Sequence, residues 1–377
     1  PPGAWAPFPG HEIVVDIYKG AGVPLPWQPI SMAQARTWNA FFSLAGPIAL
    51  LIAALAMNRQ DDRRILLLLL GLGIFSGIIG MIQAIGPSNG ALYFYRITNN
   101  GLGVGLFANR NHQAAFLATL FPLLAAYLSL FKGRPDKLFF QRSMVLTGGC
   151  LVLAFILMTG SRAGIVLAAV GMAFAWWVYR PPSAQGRIVG VRGRHRSPLV
   201  GLGVAAFLLV IGLVVAAKTP ALQRLIETDA SSELRVQAFP VIAESIARYF
   251  PFGSGFGTFV EAYQIVEPDA FISESYFNHA HNDFAEWLMT GGLPALLLAL
   301  WAAAMAVAAF LSLIRRRKAS SGDPDYASQI LGRAGFSVIA MLVLASVTDY
   351  PLRVPSILLY ATLAAVWCIN AYRFNRK

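Results

Sequence analysis

The chain is poor in charged side chains, which form 13% of its 377 residues. Soluble globular domains carry about 25% charged residues, so this shortage excludes an ordinary water-soluble domain. Hydrophobic residues make up 56% of the chain instead. A composition of this kind is typical of an integral membrane protein.

Cysteine is also scarce, since only Cys150 and Cys368 are present, and both lie inside apolar runs. They show no metal-ligand or CxxC spacing, which indicates small buried side chains. No cluster of His, Cys and carboxylates elsewhere has clear metal spacing, so we expect neither a metal nor another cofactor. The net charge of +12 does not indicate nucleic-acid binding, because Lys and Arg sit in short runs between apolar stretches.

Much of the sequence consists of apolar stretches that are long enough to cross a bilayer. A membrane-spanning helix needs about 20 mostly apolar residues, because lipid offers the backbone no hydrogen-bond partner. Nine segments meet this description, of which the fourth, fifth and eighth are short. The predicted spans are 40–57, 65–85, 112–131, 143–158, 164–179, 199–217, 287–314, 334–347 and 354–372.

Alternate loops carry most of the Lys and Arg, and such loops face the cytoplasm. We therefore predict a multi-pass protein of a bacterial inner membrane, with residues 1–39 outside and the C-terminus inside. Because the chain starts at Pro1 and not at Met, we expect further spans upstream. The predicted organisation is a periplasmic loop at 1–39, helices at 40–217, a large periplasmic loop region at 218–286 and helices at 287–377.

Arginines in the outer loops run against the positive-inside bias, and two of them suit a phosphate ligand. Arg162 lies in TGSRAG, a short turn whose small neighbours leave room for an anion. Arg235, in SSELR, opens an amphipathic helix predicted at 232–249. A guanidinium binds phosphate oxygens in pairs and stays charged. The alternatives are a snorkelling Arg162, and an Arg235 that is solvated or paired with Glu233 or Glu244.

Two further outer arginines have a simpler interpretation. Arg353 lies in TDYPLR, a turn between prolines, where an ion pair with Asp349 explains both charges. Arg110 lies in FANRNH, which also holds Asn109, Asn111 and His112 at the start of a helix. Asn111 there is either a helix cap or part of an anion site.

Two histidines, His279 and His281, lie in FNHAHNDFAEW at the start of a span. Histidine exchanges a proton near neutral pH, so one of them beside Asp283 or Glu286 could act as a general base. A structural role is the alternative for either. Asn282 and Asp283 have the side chains of helix caps. The glycines of PFGSGFGTF follow no strand and indicate turns rather than a nucleotide site.

Together these motifs resemble the O-antigen ligase/polymerase family of membrane glycosyltransferases. The resemblance runs from about residue 30 to residue 353 and is carried by FANRNHQAAF, TGSRAG, SSELR, PFGSGFGTF, HAHNDFAEWLMTGG and TDYPLR. It implies an all-α, polytopic transmembrane helix bundle of GT-C-like type with a large periplasmic loop region. One departure is that the glycine pattern does not continue after Gly292.

The resemblance also implies a function in lipopolysaccharide biosynthesis, namely metal-independent transfer of a glycan from an undecaprenyl diphosphate carrier at the periplasmic face. His281 matches the family's catalytic histidine, and Arg162 and Arg235 match its phosphate-binding arginines. Second-tier candidates are Arg110, His112, Asn109, Asn282, Asp349, Arg353 and His279. The expected acceptor is lipid A-core. Polymerisation of the glycan is the alternative within the family, and transport of lipid-linked glycans is the alternative outside it.

Overall fold

The computed structural model describes residues 1–57, 59–133, 135–181, 230–272, 277–315, 323 and 325–373. Every regular element in these ranges is helical. The helices are α1 (Pro2–Trp5), α2 (Glu12–Gly20), α3 (Gln34–Phe42), α4 (Ala45–Leu55), α5 (Arg59–Ile85), α6 (Arg110–Ala118), α7 (Leu120–Ser129), α8 (Pro135–Met158), α9 (Arg162–Val178), α10 (Ala230–Tyr249), α11 (Phe259–Gln264), α12 (Asp283–Arg315), α13 (Tyr326–Ala345) and α14 (Pro355–Arg373). Single 3₁₀ turns occur at Asp269–Phe271 and Pro351–Arg353.

The prediction of an all-α polytopic bundle is confirmed. Among the described residues, seven helical stretches are long and apolar enough to cross a membrane, and α9 is a shorter apolar helix. Eight of the nine predicted spans correspond to these elements, while the predicted span at 199–217 lies outside the described residues. Apolar side chains such as Leu297, Leu300 and Trp301 point outward from α12, as lipid-facing residues do.

Two helices begin earlier than the hydropathy predicted, because polar residues open them. Helix α12 starts at Asp283, where the Asn282 side chain accepts a hydrogen bond from the Ala285 amide at 3.0 Å, so Asn282 caps the helix as expected. Helix α13 starts at Tyr326 and includes Arg333, which lies just before the predicted span at 334–347 and thus in a predicted loop. Its guanidinium lies 5.5 Å above the Trp177 ring, a contact that accommodates the charge inside the helix.

The described chain divides into two compact units. The first unit comprises Pro1–Leu50, Asp229–Ala308 and Ser346–Leu359. In it, α10 confirms the predicted amphipathic helix and packs its buried stripe of Ala238, Ile242 and Tyr249 onto α11 and Met289. Trp5 is fully buried there, whereas Trp27 is 80% exposed.

The first unit also contains a break in α12 at Gly292, where φ is +53°. A Cβ at this position would collide with the Pro251 carbonyl, which accepts a hydrogen bond from the Leu293 amide at 2.7 Å. The glycine-rich turn after α10 fills the break, because the Gly255 amide donates to the Thr290 carbonyl at 2.9 Å. The glycines of PFGSGFGTF therefore form a turn, as predicted, and this turn supports the part of α12 that carries the polar residues.

The second unit comprises Leu51–Thr228, Ala309–Ala345 and Tyr360–Lys377. Its centre is the buried pair α6 and α7, which are joined at Thr119 and pack against α8, α9 and α13. The Thr119 hydroxyl lies 2.9 Å from the Tyr360 hydroxyl of α14, so even the joint between the two helices is hydrogen-bonded. The unit is thus a helix bundle with hydrogen-bonded polar groups at its centre.

Candidate functional site

The segment that leads into α12 has an unusual backbone at His281. Its φ is +50°, and no other non-glycine residue in the described ranges has a positive φ. This left-handed conformation costs an ordinary side chain free energy, and residues of this kind cluster at functional sites. The next residue holds the turn in place, because the Asn282 side-chain amide donates to the Val347 carbonyl at 3.1 Å.

His281 is paired with a carboxylate that lies 68 residues further along the chain. Its Nδ1 atom lies 3.3 Å from Oδ1 of Asp349, and the side chains are 15% and 5% exposed. An ionised carboxylate only accepts hydrogen bonds, so this pairing places the ring proton on Nδ1 and leaves Nε2 as the basic atom. Asp349 is itself held by the Tyr350 amide, which donates to Oδ1 at 3.0 Å.

His279, two residues earlier, pairs with a different carboxylate, that of Glu286. Its Nδ1 atom lies 3.1 and 3.2 Å from the two carboxylate oxygens of Glu286, and the Ala280 amide donates to the same carboxylate at 2.9 Å. Tyr350 packs against both imidazoles, with ring centroids 4.1 Å from His279 and 5.1 Å from His281. Tyr350 is a member of the site that the sequence did not single out, although TDYPLR contains it.

Arg353 joins two carboxylates at the start of α12. Its Nε lies 2.9 Å from Oδ1 of Asp283, and its Nη1 lies 3.0 Å from Oε1 of Glu286. Ser346 donates to the other Asp283 oxygen at 2.8 Å. The predicted ion pair between Asp349 and Arg353 is therefore wrong. Asp349 pairs with His281, and Arg353 binds carboxylates of α12, which joins the 346–353 turn to that helix.

We call these seven residues the entrance cluster: His279, His281, Asp283, Glu286, Asp349, Tyr350 and Arg353. Arg235 of α10 approaches this cluster closely enough for its charge to act on His281. The pKa of His281 is lowered, chiefly by burial, and Arg235 and His279 lower it further, while Asp349 opposes them. Because its pKa is lowered, the imidazole is unprotonated at neutral pH and can accept a proton. Among the carboxylates that the structure describes, none forms an ion pair with Arg235.

The other predicted candidates lie together in the second unit. Asn109 caps α6 by accepting a hydrogen bond from the Asn111 amide at 2.8 Å, so the cap is Asn109 and not Asn111 as one interpretation had it. The Asn111 side chain accepts a hydrogen bond from the hydroxyl of Ser161, the cap of α9, at 2.8 Å. The starts of α6 and α9 are thereby joined.

Arg110 and Arg162 belong to these two helix starts. Arg110 donates through Nη1 to the Gly160 carbonyl at 3.3 Å, beside the turn that carries the exposed Arg162. His112 lies two residues after Arg110 in α6 and is 4% exposed. The N-termini of α6 and α9 thus lie together, and Arg110 and Arg162 are the first residues of these two helices.

Comparison with known proteins adds one match. Residues 147–300 match the family model described as O-antigen ligase. This range includes Arg162, Arg235 and His281, together with the glycine-rich turn and the break in α12. A search of curated proteins found no match. The match confirms the family resemblance predicted from the motifs.

Proposed function

From the premise that residues 147–300 match the O-antigen ligase family model, we propose that the chain transfers a glycan from undecaprenyl diphosphate to an acceptor sugar. The reaction takes place at the periplasmic face of the inner membrane, and the acceptor is lipid A-core. The observation that carries this proposal is the buried His281–Asp349 pair, on which the nearby charge of Arg235 acts.

The base in this reaction is Nε2 of His281. It takes the proton of an acceptor hydroxyl while that oxygen forms a bond to the anomeric carbon of the donor glycan. The bond between this carbon and the diphosphate oxygen breaks, and its electron pair leaves with the diphosphate. Asp349 keeps the proton on Nδ1 and stabilises the imidazolium that forms.

Arg235 acts on the leaving group. The departing diphosphate gains negative charge in the transition state, and a guanidinium already in place offsets that charge without reorganisation. The same cation helps to keep His281 unprotonated before the reaction. Arg162 stays a predicted phosphate ligand, since it belongs to the second unit and its role rests on the resemblance.

The direct test is the rate of glycan transfer by purified His281→Ala protein with a defined lipid-linked donor. We expect a loss of about 10²- to 10⁴-fold, the usual contribution of a positioned general base. His11→Gln is the control, because His11 is another buried histidine of the first unit and lies among Trp5 and Phe8 instead. Transfer at the wild-type rate by His281→Ala would remove the base from this mechanism.

Polymerisation uses the same site with a different acceptor, so the product decides between the two reactions. With lipid-linked donor alone, a polymerase lengthens the glycan on its carrier. With lipid A-core added, a ligase moves the glycan to the new acceptor. A lipid-glycan transporter makes neither product and does not need the His281 base.

A further inference from the structure

The second unit buries a guanidinium group that has no carboxylate partner in the part of the chain that the structure describes. Arg333 of α13 is 5% exposed, and its Nη2 donates to the Leu313 carbonyl at 3.3 Å. Its Nε is buried without a hydrogen-bond partner, and the group lies over the Trp177 ring. Isolated buried cations are costly and are normally paired, so this arrangement points to an anion supplied from outside the chain.

A second arginine lies next to it. Arg180, directly after α9, is half-buried, and its charge acts on Arg333. Its amide donates to the Ser129 hydroxyl at 2.9 Å and its Nη1 to the Tyr179 carbonyl at 2.8 Å, so the residue is firmly placed. Neither arginine forms an ion pair with a carboxylate in the described part of the chain. Two neighbouring cations repel each other, and a bound anion would relieve that repulsion.

An apolar groove begins beside Arg180. It lies between α7, α8 and α9, has a volume of about 390 Å³ and is open on one side. Leu128 and Tyr179 line it, and these residues are the chain neighbours of Ser129 and Arg180. The remainder of its lining is almost wholly apolar and includes Leu124, Leu146, Leu153 and Met172. A groove of this composition, on helices that cross the membrane, suits a hydrocarbon chain.

We propose that Arg180 and Arg333 form a binding site for the phosphate of an anionic phospholipid whose acyl chain lies in the groove between α7, α8 and α9. Arg180, the more exposed arginine, contacts the phosphate, and Arg333 adds its charge from the interior. Charge complementarity selects the lipid, because phosphatidylcholine carries a compensating cation and phosphatidylglycerol does not. None of its residues belongs to the entrance cluster.

Helix geometry distinguishes this site from a general basic surface. The residues Met172, Ala175, Trp176 and Tyr179 recur at the spacing of one helical face and turn that face of α9 to the groove. Trp177 lies off that face and packs instead against Phe310 and Phe336. The groove and the buried cation are therefore on different sides of α9, and Arg180 at the end of the helix connects them.

The test uses the purified chain in a neutral detergent, with phosphatidylglycerol, phosphatidylcholine or inorganic phosphate added in turn. Lipid retention is measured by native mass spectrometry and stabilisation by the melting temperature. We expect selective retention of phosphatidylglycerol and a higher Tm with it. Arg180→Gln should weaken that binding about five- to tenfold, since each arginine near a lipid surface contributes about 1 kcal/mol.

Two further variants separate the parts of the site. Gly149→Leu should also weaken phosphatidylglycerol binding, because Gly149 lines the groove and a Cβ there meets only the Phe121 ring at 3.9 Å, leaving room for a longer side chain to enter it. Arg64→Gln should bind as the wild type does, since Arg64 is an exposed arginine paired with Asp61. Lipid binding by Arg333→Gln is measured as well. If Arg333→Gln fails to fold, the effect of charge on lipid binding is decided by Arg180→Gln alone.

Three results would overturn the proposal. The first is equal retention of phosphatidylglycerol and phosphatidylcholine. The second is equal weakening by Arg180→Gln and Arg64→Gln, which would mean that binding follows overall charge. The third is full stabilisation by inorganic phosphate with no effect of Gly149→Leu, which would indicate a free anion in place of a lipid.

Discussion

The start of α12 and the end of α9 both place guanidinium groups away from water, but they neutralise them differently. At the start of α12, Arg353 reaches two carboxylates of its own chain, Asp283 and Glu286, at 2.9 and 3.0 Å. At the end of α9, Arg180 and Arg333 have each other as neighbours and no described carboxylate as a partner. The first arrangement pairs its cation with carboxylates of the chain, whereas the second has a surplus of positive charge among the described residues.

This difference distinguishes arginines that stabilise the fold from arginines that can bind an external anion. A buried cation paired with buried carboxylates joins the segments that carry them, and breaking the pair leaves uncompensated charge. A cation without such a partner can bind an external anion without losing an internal contact. Arg235 is an arginine that can bind an external anion, because its charge acts on His281 and no described carboxylate forms an ion pair with it.

The largest expected effect is on stability. Arg353→Gln should lower the free energy of unfolding by about 3–5 kcal/mol, because it leaves Asp283 and the fully buried Glu286 without their cation. Arg36→Gln is the matched change in the same unit, since Arg36 pairs with Glu261 at an exposed site and should cost less than about 1 kcal/mol. The melting temperatures of both variants in detergent check this contrast.

Equal shifts in melting temperature for Arg353→Gln and Arg36→Gln would break the comparison. They would mean that the buried network contributes no more than a surface pair. A stable Arg353→Gln protein with lost transfer activity would instead assign Arg353 to the chemistry and not to the fold.

The next effect is on catalysis. Asp349→Asn should reduce the rate of glycan transfer by about 10²-fold or more, because an amide no longer holds the proton on Nδ1 of His281. His279→Gln should reduce it less, since His279 is engaged by Glu286 and is not the proposed base. Steady-state rates with a fixed donor measure both variants. If His279→Gln reduced the rate of glycan transfer more than Asp349→Asn does, His279 and not His281 would be the general base.

Local patterns predicted the helices well but not the pairing of charges. The spans, the α10 helix and the Asn282 cap depend on residues that are close in the chain, and hydropathy and capping preferences detect them. The pairing of Asp349 with His281 spans 68 residues, whereas sequence proximity indicated Arg353 as its partner.

The same limit explains the error at Arg333. The positive-inside rule counts a charge and assigns it to a loop, but it contains no information on a ring contributed by another helix. Trp177 of α9 provides that ring, and its contact with Arg333 exists only in the folded bundle. The residues of the entrance cluster could be selected one by one from their motifs, but their partners required the tertiary structure.

The smallest expected effect tests whether the charge of Arg235 acts on His281. The neutral form of His281 is the active base, so activity should fall as the pH drops through its lowered pKa. Arg235 lowers this pKa and Asp349 raises it, so removing each should move the acid limb of the pH–rate profile in opposite directions. Arg235→Gln should shift the limb to higher pH and Asp349→Asn to lower pH.

Arg248→Gln supplies the control for this shift, because Arg248 lies on the same helix and its charge acts on Tyr249. Its acid limb should coincide with that of the wild type. Profiles for all three variants, measured at saturating donor, separate the charge effect from donor binding. If Arg235→Gln and Asp349→Asn moved the limb in the same direction, the limb would not report His281, and the contrast between paired and unpaired arginines would lose its link to catalysis.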